Sequence, residues 1–357
     1  MQKITIHVEP AYEMLVENGA LARLGEFTAR AVSGRKAALM TDDVVDRLYG
    51  DKAVLSLQKA GFEVVRFVFA HGEGSKNLET WSRMLCFLAQ ENLSRSDVVI
   101  ALGGGVTGDM AGFAASAYLR GIAVVQVPTT LLAAIDSSVG GKTAVDLPQG
   151  KNLAGAFHQP VLVVCDPETF STLPPEFLAD GMAEAIKAAV IGDPELLSLL
   201  SEKTVEPHQW EEIILRSVEV KRRLVEDDVL DQGNRQLLNL GHTMAHGIEK
   251  LSCFAVSHGH AVAMGTAAMA RAAFGLGICT LQCVQEIDKA LSARGLKTPC
   301  PYPAEELALA AVHDKKRKGD KVTLVLPKDM GECILHLVAM EELPYIFAIG
   351  LEENRWK

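Results

Sequence analysis

The chain has 357 residues, more than one hydrophobic core usually serves, so two domains are expected. With 48% hydrophobic and 22% charged residues and a formal net charge of −10, it reads as a globular protein. That charge argues against nucleic acid or an anionic membrane as the main partner, though a local basic pocket can still take an anionic small molecule.

The opening MQKITIHVEPAYEMLVENG alternates as a strand does and lacks the regions of a signal peptide. No run of about 18 apolar residues marks a membrane span. The seven cysteines follow no framework pattern, which suits reduced thiols, and a cytoplasmic location is expected. Cys279 and Cys283 are four apart with no second pair to complete a zinc site, and read as structural.

Short β-rich runs follow at 36–43, 63–70, 97–105, 123–130 and 161–166, with helix-period segments between them. In 75–93, Leu78, Trp81, Leu85 and Leu88 recur on one face after a candidate cap at Ser75. Apolar strands alternating with helices predict a mostly parallel sheet covered on both faces. Beyond residue 170 the pattern turns helical, at 176–191, 194–203, 209–226, 233–250, 258–276 and 280–294, with 322–327 the one clear strand. The expected organisation is an α/β domain over 1–170 and a mainly α-helical domain over 171–357.

Three stretches carry candidate chemistry. DVVIALGGGVTGDMAGFAA (97–115) is a strand, a glycine turn and a helix start, and Gly103, Gly105 and Gly108 satisfy G-x-G-x-x-G. Glycines there let the backbone turn sharply toward a diphosphate facing a helix N-terminus. The loop lies mid-domain and no acid ends the next strand, so Asp42 is the candidate for the ribose. A tight turn with close packing is the plainer account. GGKT (140–143) is no Walker A loop, because Asp136 stands where its first glycine belongs. Lys142 and Lys151 can be solvated charges or, with Asn152, an anion site.

FLADGMAEAIKAAVIG (177–192) puts Glu184 and Lys187 on one helical face among apolar residues. A local ion pair explains them; so does a carboxylate that meets a metal. In 233–250, Arg235, Asn239, His242 and His246 step by 4, 3 and 4, one face of a helix. His242 and His246 share the spacing of H-E-x-x-H, but H-T-M-A-H lacks the glutamate of a metalloprotease. Glu184, His242 and one further histidine would form a two-His, one-carboxylate set; a hydrogen-bonded helix face without metal is the alternative.

Together these residues resemble the 3-dehydroquinate synthase family. The resemblance rests on GEGSKN (72–77), GGGVTGDMAGFAAS (103–116), PTTLLAAIDSSVGGKTAVD (128–146), GKN (150–152), GMAEAIK (181–187), RQLLNLGHTMAHGIE (235–249), HG (258–259) and DKK (314–316), all in order. It implies a dehydroquinate synthase-like fold and NAD+ held by Glu73, Lys76, Gly104, Gly105, Val106, Thr107, Gly108, Asp109, Thr129, Thr130, Lys151, Thr169 and Thr172, with Lys142 bordering both cofactor and substrate. It implies a divalent metal, zinc or cobalt, on Glu184, His242 and His258. Asp136, Lys142, Asn152, Lys187, Lys221, Arg235, Asn239, His246 and Lys315 (or Lys316) would hold an anionic sugar-phosphate substrate, and Arg120 would reach a neighbouring subunit's phosphate in a homodimer.

The implied reaction is conversion of 3-deoxy-D-arabino-heptulosonate 7-phosphate to 3-dehydroquinate and phosphate. The alternatives are a related sugar-phosphate cyclase of the 2-deoxy-scyllo-inosose or valiolone type and a metal-dependent polyol dehydrogenase. A non-catalytic NAD sensor would have no use for both the metal ligands and the lysine-rich anion site. One departure stands out: the family commonly has Glu two residues after its third ligand, in H-G-E, where this chain has His260.

Overall fold

The structure is a computed structural model that describes residues 1–202, 204–312 and 320–352. The chain divides into two compact units, Met1–Leu173 and Pro174–Lys357.

The first unit is built on strands β1 (Gln2–Ile6), β2 (Tyr12–Val16), β3 (Lys36–Asp42), β4 (Glu63–Phe69), β5 (Val98–Gly103), β6 (Ala123–Pro128) and β9 (Leu162–Cys165). They lie in the order β1-β2-β9-β6-β5-β3-β4. Only β1 and β2 pair antiparallel; the other neighbours are parallel, as in Ile100 opposite Val125. Helices α1 (Leu24–Ala31), α2 (a single turn, Asp43–Val45), α3 (Asp51–Lys59), α4 (Leu78–Gln90) and α5 (Gly105–Ala117) connect the strands.

Alternate strand residues serve opposite faces. Leu39, Ile100, Leu102 and Val125 pack with Leu24 and Leu57, while Met40, Val99, Ala101 and Val124 pack with Met84, Met110 and Ala114. Along the central strands both faces are dry, which is why β5 and β9 read as unbroken apolar runs. The expected mostly parallel α/β sheet is therefore observed. From β3 the chain moves outward to β4, then returns past β3 to β5, which makes the carboxyl ends of β3 and β5 a topological switch point.

Two local expectations are corrected. The cap of α4 is Asn77, whose Oδ1 accepts from Thr80 N at 2.9 Å, not Ser75. The stretch that holds Lys142 and Lys151, which carried no strand signal, is an antiparallel hairpin, β7 (Lys142–Leu147) with β8 (Gly150–Phe157).

The second unit holds α6 (Pro175–Gly192), α7 (Pro194–Leu200), α8 (Trp210–Asp227), α9 (His242–Leu251), α10 (His258–Gly275), α11 (Leu281–Ala293), α12 (Ala304–Val312) and α13 (Leu343–Leu351). A hairpin of β10 (Lys321–Asp329) and β11 (Glu332–Ala339) accompanies them, so the one strand expected there has a partner. Most residues of α6 and α10 are buried, and both are rich in alanine. Among the described residues no helix is long and apolar enough to cross a membrane.

The expected helix over 233–250 is broken. Asn234–Asn239 is a 3-10 turn, Leu240 is extended, and Gly241 takes φ of 77° before α9 begins. A Cβ at Gly241 would lie 2.6 Å from Thr266 N, so α9 starts pressed against the backbone of α10. Only glycine combines that approach with a left-handed backbone. Arg235 and Asn239 therefore do not share a helical face with His242 and His246.

Candidate active site

In the first unit the glycine stretch follows β5 and opens α5. Gly104 stands at the N-cap without a side-chain cap, so Gly105, Val106 and Thr107 begin the helix with amides of the kind that receive anions. None of Gly103, Gly104, Gly105 and Gly108 has a positive φ, which corrects the expected need for backbone freedom. Close packing is what requires Gly108: a Cβ there would sit 2.7 Å from Gln126 Oε1, and Gln126 Nε2 donates to the Gly108 carbonyl at 3.0 Å.

Asp42 ends β3 on the other side of the switch point. Its Oδ1 accepts from Val44 N at 3.0 Å and Val45 N at 2.9 Å, so one carboxylate oxygen already caps α2. Thr129 N donates to the Gly103 carbonyl at 2.9 Å, and Thr130 Oγ1 accepts from Ala133 N at 3.1 Å. Thr169 and Thr172 lie on one 3-10 turn, where the Tyr49 hydroxyl is 2.7 Å from Thr172 Oγ1. Nothing in the sequence pattern had singled out Tyr49.

The β7–β8 hairpin brings charges from distant positions together. Lys76, only 5% exposed, donates to Asp109 Oδ2 at 2.6 Å and to Asn152 Oδ1 at 2.5 Å. Lys151 lies 3.4 Å from Glu73. Asn152 takes φ of 56°, and its N–H donates to Asp146 Oδ1 at 2.8 Å. Burial disfavours the Lys76 ammonium, but Asp109, Glu73 and Asp146 outweigh it and hold its pKa above the ordinary lysine value. Asp136 is near enough to Asp109 to add to the negative field there. Lys142 opens β7 with an exposed side chain. Arg120 has φ of 66°, between Leu119 at 50° and Gly121 at 120°.

In the second unit one group of donor atoms converges. Glu184, His242 and His258 each place a ligand atom within 4.8 Å of the other two, the one such group among the described residues. Glu184 comes from the middle of α6, His242 from the first residue of α9 and His258 from the first residue of α10. Glu184 Oε1 lies 3.7 Å from His242 Nε2 and 3.3 Å from His258 Nε2. Lys187 Nζ is 2.5 Å from Glu184 Oε2, and both side chains are buried. His246 stands one turn after His242, with ring centroids 5.7 Å apart, outside the group of three.

The imidazoles are oriented by their outer nitrogens. His242 Nδ1 is 3.1 Å from the Leu240 carbonyl, so it carries the proton and leaves the Nε2 lone pair facing Glu184. Burial and the Lys187 cation push its pKa well below the ordinary value, keeping it neutral. For His258, burial also works against charge, but hydrogen bonds to Glu184 and Glu249 prevail and the pKa is pushed up to about 10. Glu249 Oε1 lies 3.5 Å from His258 Nδ1. Two imidazoles and a carboxylate with converging donors suit a divalent cation that keeps a position open for substrate.

In the same unit Lys221 of α8 is buried, as is Arg235, whose Nη1 donates to the Val229 carbonyl at 2.6 Å. Asn239 ends the 3-10 turn before Gly241. Lys315 and Lys316 lie outside the described residues. Glu249 had not been singled out, although it lies three residues after His246, a helical neighbour, and is buried. Asp180, one turn before Glu184 on α6, had also gone unnoticed.

Comparison with known proteins gives the family. The family model described as 3-dehydroquinate synthase N-terminal matches residues 66–180, and the one described as 3-dehydroquinate synthase C-terminal matches 181–317. The 3-dehydroquinate synthase of Streptococcus gordonii is 43% identical over 338 residues, covering 93% of this chain and 95% of its own. That of Lactococcus lactis subsp. cremoris is 42% identical over 339 residues. Among solved structures, a 2-deoxy-scyllo-inosose synthase complexed with carbaglucose-6-phosphate, NAD+ and Co2+ superposes with a TM-score of 0.87 at 25% identity, covering 97% of this chain and 99% of that one. A 2-epi-5-epi-valiolone synthase from Streptomyces hygroscopicus subsp. jinggangensis with NAD+ and Zn2+ bound gives 0.87 at 25% identity, covering 96% and 97%. The chain belongs to the 3-dehydroquinate synthase family.

Proposed function

We infer that the protein converts 3-deoxy-D-arabino-heptulosonate 7-phosphate to 3-dehydroquinate and phosphate, as an NAD- and divalent-metal-dependent lyase of aromatic amino-acid biosynthesis. The observation that carries this reading is the convergence of Glu184, His242 and His258 in a chain 43% identical to a 3-dehydroquinate synthase.

The first unit would bind NAD+ and the second the metal. NAD+ supplies a hydride acceptor that returns the hydride within one turnover, and the metal supplies a Lewis acid for a substrate oxygen. The residues of this chain bind and orient. Amides at the start of α5 receive the diphosphate, and the Lys76 ammonium, fixed by Asp109, orders the neighbouring Asn152. Because Asn152 Oδ1 is engaged by Lys76, its NH2 is the group it offers the substrate. Lys142, Lys187, Lys221, Arg235, Asn239, His246 and Lys315 are assigned to the substrate's anionic groups, whose orientation and developing charge cations and hydrogen-bond donors stabilise. The substrate's own phosphate is the base, which fits the engagement of Glu184 by Lys187 and of Asp109 by Lys76.

A homodimer in the cytoplasm is part of the proposal. The left-handed backbone at Leu119 and Arg120 is a conformation that side chains adopt at a cost, and it supports a role for Arg120 beyond packing. None of the seven cysteines forms a disulfide.

A paired assay tests the reading. Phosphate should be released from the heptulosonate phosphate, should require NAD+, should stop on metal chelation and should leave no net NADH. Cyclisation of glucose 6-phosphate instead would make it an inosose-type cyclase, and steady NADH from a simple polyol would make it a dehydrogenase.

A further inference from the structure

The departure at His260 has a structural counterpart on a different helix. Ser257 stands at the N-cap of α10, yet its side chain caps nothing in its own helix. His258, Gly259 and His260 are the first three helical residues, and the N–H of His260 is among the donors an N-cap side chain normally receives. That N–H donates instead to Asp180 Oδ1 of α6, at 3.0 Å. The same oxygen accepts from the Ser257 hydroxyl at 2.6 Å and lies 2.8 Å from His260 Nδ1, which donates to it when the ring carries its proton there. Ser257 Oγ and His260 Nδ1 are 2.8 Å apart, which closes the cluster.

The backbones meet at the same point. A Cβ on Gly259 would fall 2.3 Å from Asp180 Cα and 2.4 Å from its carbonyl oxygen. Asp180 is one helical turn before Glu184, and His258 lies between Ser257 and Gly259. The contact between α6 and α10 therefore brackets two of the three converging donors.

We propose that Asp180 of α6 supplies the side-chain cap of α10, and that it positions His258 against Glu184. This rests on the reading that Glu184, His242 and His258 hold the metal. A glutamate at position 260 would complete a capping box with Ser257 inside α10. In this chain the capping carboxylate comes from the helix that carries Glu184, and residue 260 is a histidine that donates to it. His260 is thereby a positioning residue and not a ligand. A glutamate at 260 and Asp180 would put two carboxylates on one spot, so the identities of residues 180 and 260 are linked.

The test is a double-mutant cycle read by Zn2+ affinity under chelator competition, by the visible spectrum of the Co2+-loaded protein, and by the melting temperature of the metal-free protein. D180A should weaken Zn2+ binding about 10–100-fold, the usual effect of losing a group that supports a ligand, and should alter the Co2+ spectrum of protein that remains folded. H260E should also weaken binding. D180A/H260E should recover most of the loss, because the introduced glutamate can then cap its own helix. Wild-type affinity and spectrum in D180A, or additive losses in the double variant, would overturn the proposal. If D180A does not fold, D180N/H260E should still bind Zn2+ more tightly than H260E, and equal or weaker binding overturns it. E184A separates the two readings: if it keeps full Zn2+ affinity, the metal assignment itself is wrong, whatever D180A does.

Discussion

Around Lys76 the chain surrounds one buried ammonium with carboxylates and an amide, whereas around Glu184 it surrounds one buried carboxylate with an ammonium and two imidazoles. The first cluster is matched internally. Lys76 has Asp109 at 2.6 Å and Asn152 at 2.5 Å, and each group is fixed by its neighbours. The second cluster is matched by groups that can exchange. His258 holds an extra proton between Glu184 and Glu249, and a metal cation can take that proton's place. Permanent pairs make a rigid seat, while an exchangeable proton makes a site for an ion.

Glu184→Gln should produce the largest effect. It removes the central anion of the second cluster, so metal content should collapse and turnover should fall by more than about 100-fold, the upper end for losing a mere supporting group. Metal analysis and phosphate release measure both, and retained metal would erase the contrast between the clusters. Lys76→Met acts on the first. It strands buried carboxylates, for which the cost is about 3–5 kcal/mol of stability. Urea melts should show that loss together with weaker NAD+ binding, while Zn2+ affinity stays unchanged; a parallel loss of metal would mean that the clusters are not independent.

Gly259→Ala tests how tightly the second cluster depends on helix packing. The added methyl meets the Asp180 backbone, and overpacking of this kind costs about 1–3 kcal/mol. An unchanged urea midpoint would show that the contact can relax freely. A pH slope probes the same cluster without adding bulk to it. The His258 pKa of about 10 in the metal-free protein is raised above the ordinary 6.5. A raised pKa contributes stability that is complete below the unfolded value and is lost as pH rises through the folded one. Metal-free protein should therefore lose stability between pH 6.5 and 10, and His258→Gln should flatten that decline. Equal slopes in urea midpoints would sink the proton-exchange account.

The parts of the fold that were legible in the sequence are those with one dominant force. The strands at 36–42 and 98–103 are buried on both faces, so their apolar runs announced them. The β7–β8 hairpin was hidden because GGKTAVDLPQGKN mixes glycines and charges, and its partners are its own two arms. β11 escaped for a similar reason, since ECILHLVA alternates around a mostly half-exposed strand. The stripe of Arg235, Asn239, His242 and His246 was misleading. Its spacing fits a helix, but close approach of α10 forces a break at Gly241, and no periodicity reveals a neighbouring backbone.

The site shows the same limit. Local spacing offered His242 with His246, whereas the converging donors come from positions 184, 242 and 258, which no short pattern links. Asp180 and Glu249 were visible as helical neighbours of Glu184 and His246. Their relevance depends on what crosses them in space, which a single helix cannot disclose.

The break at Gly241 also sets how this chain can vary. In one continuous helix, inserting a single residue between Arg235 and His242 would turn everything beyond it by about 100°. Here a 3-10 turn, an extended residue and a left-handed glycine separate the two stretches. Arg235 and Asn239 are mechanically uncoupled in phase from His242 and His246. The turn that carries Arg235 and Asn239 can be rearranged, lengthened or replaced without rotating the imidazole that faces Glu184, so one side of the break can vary while the converging donors stay where they are.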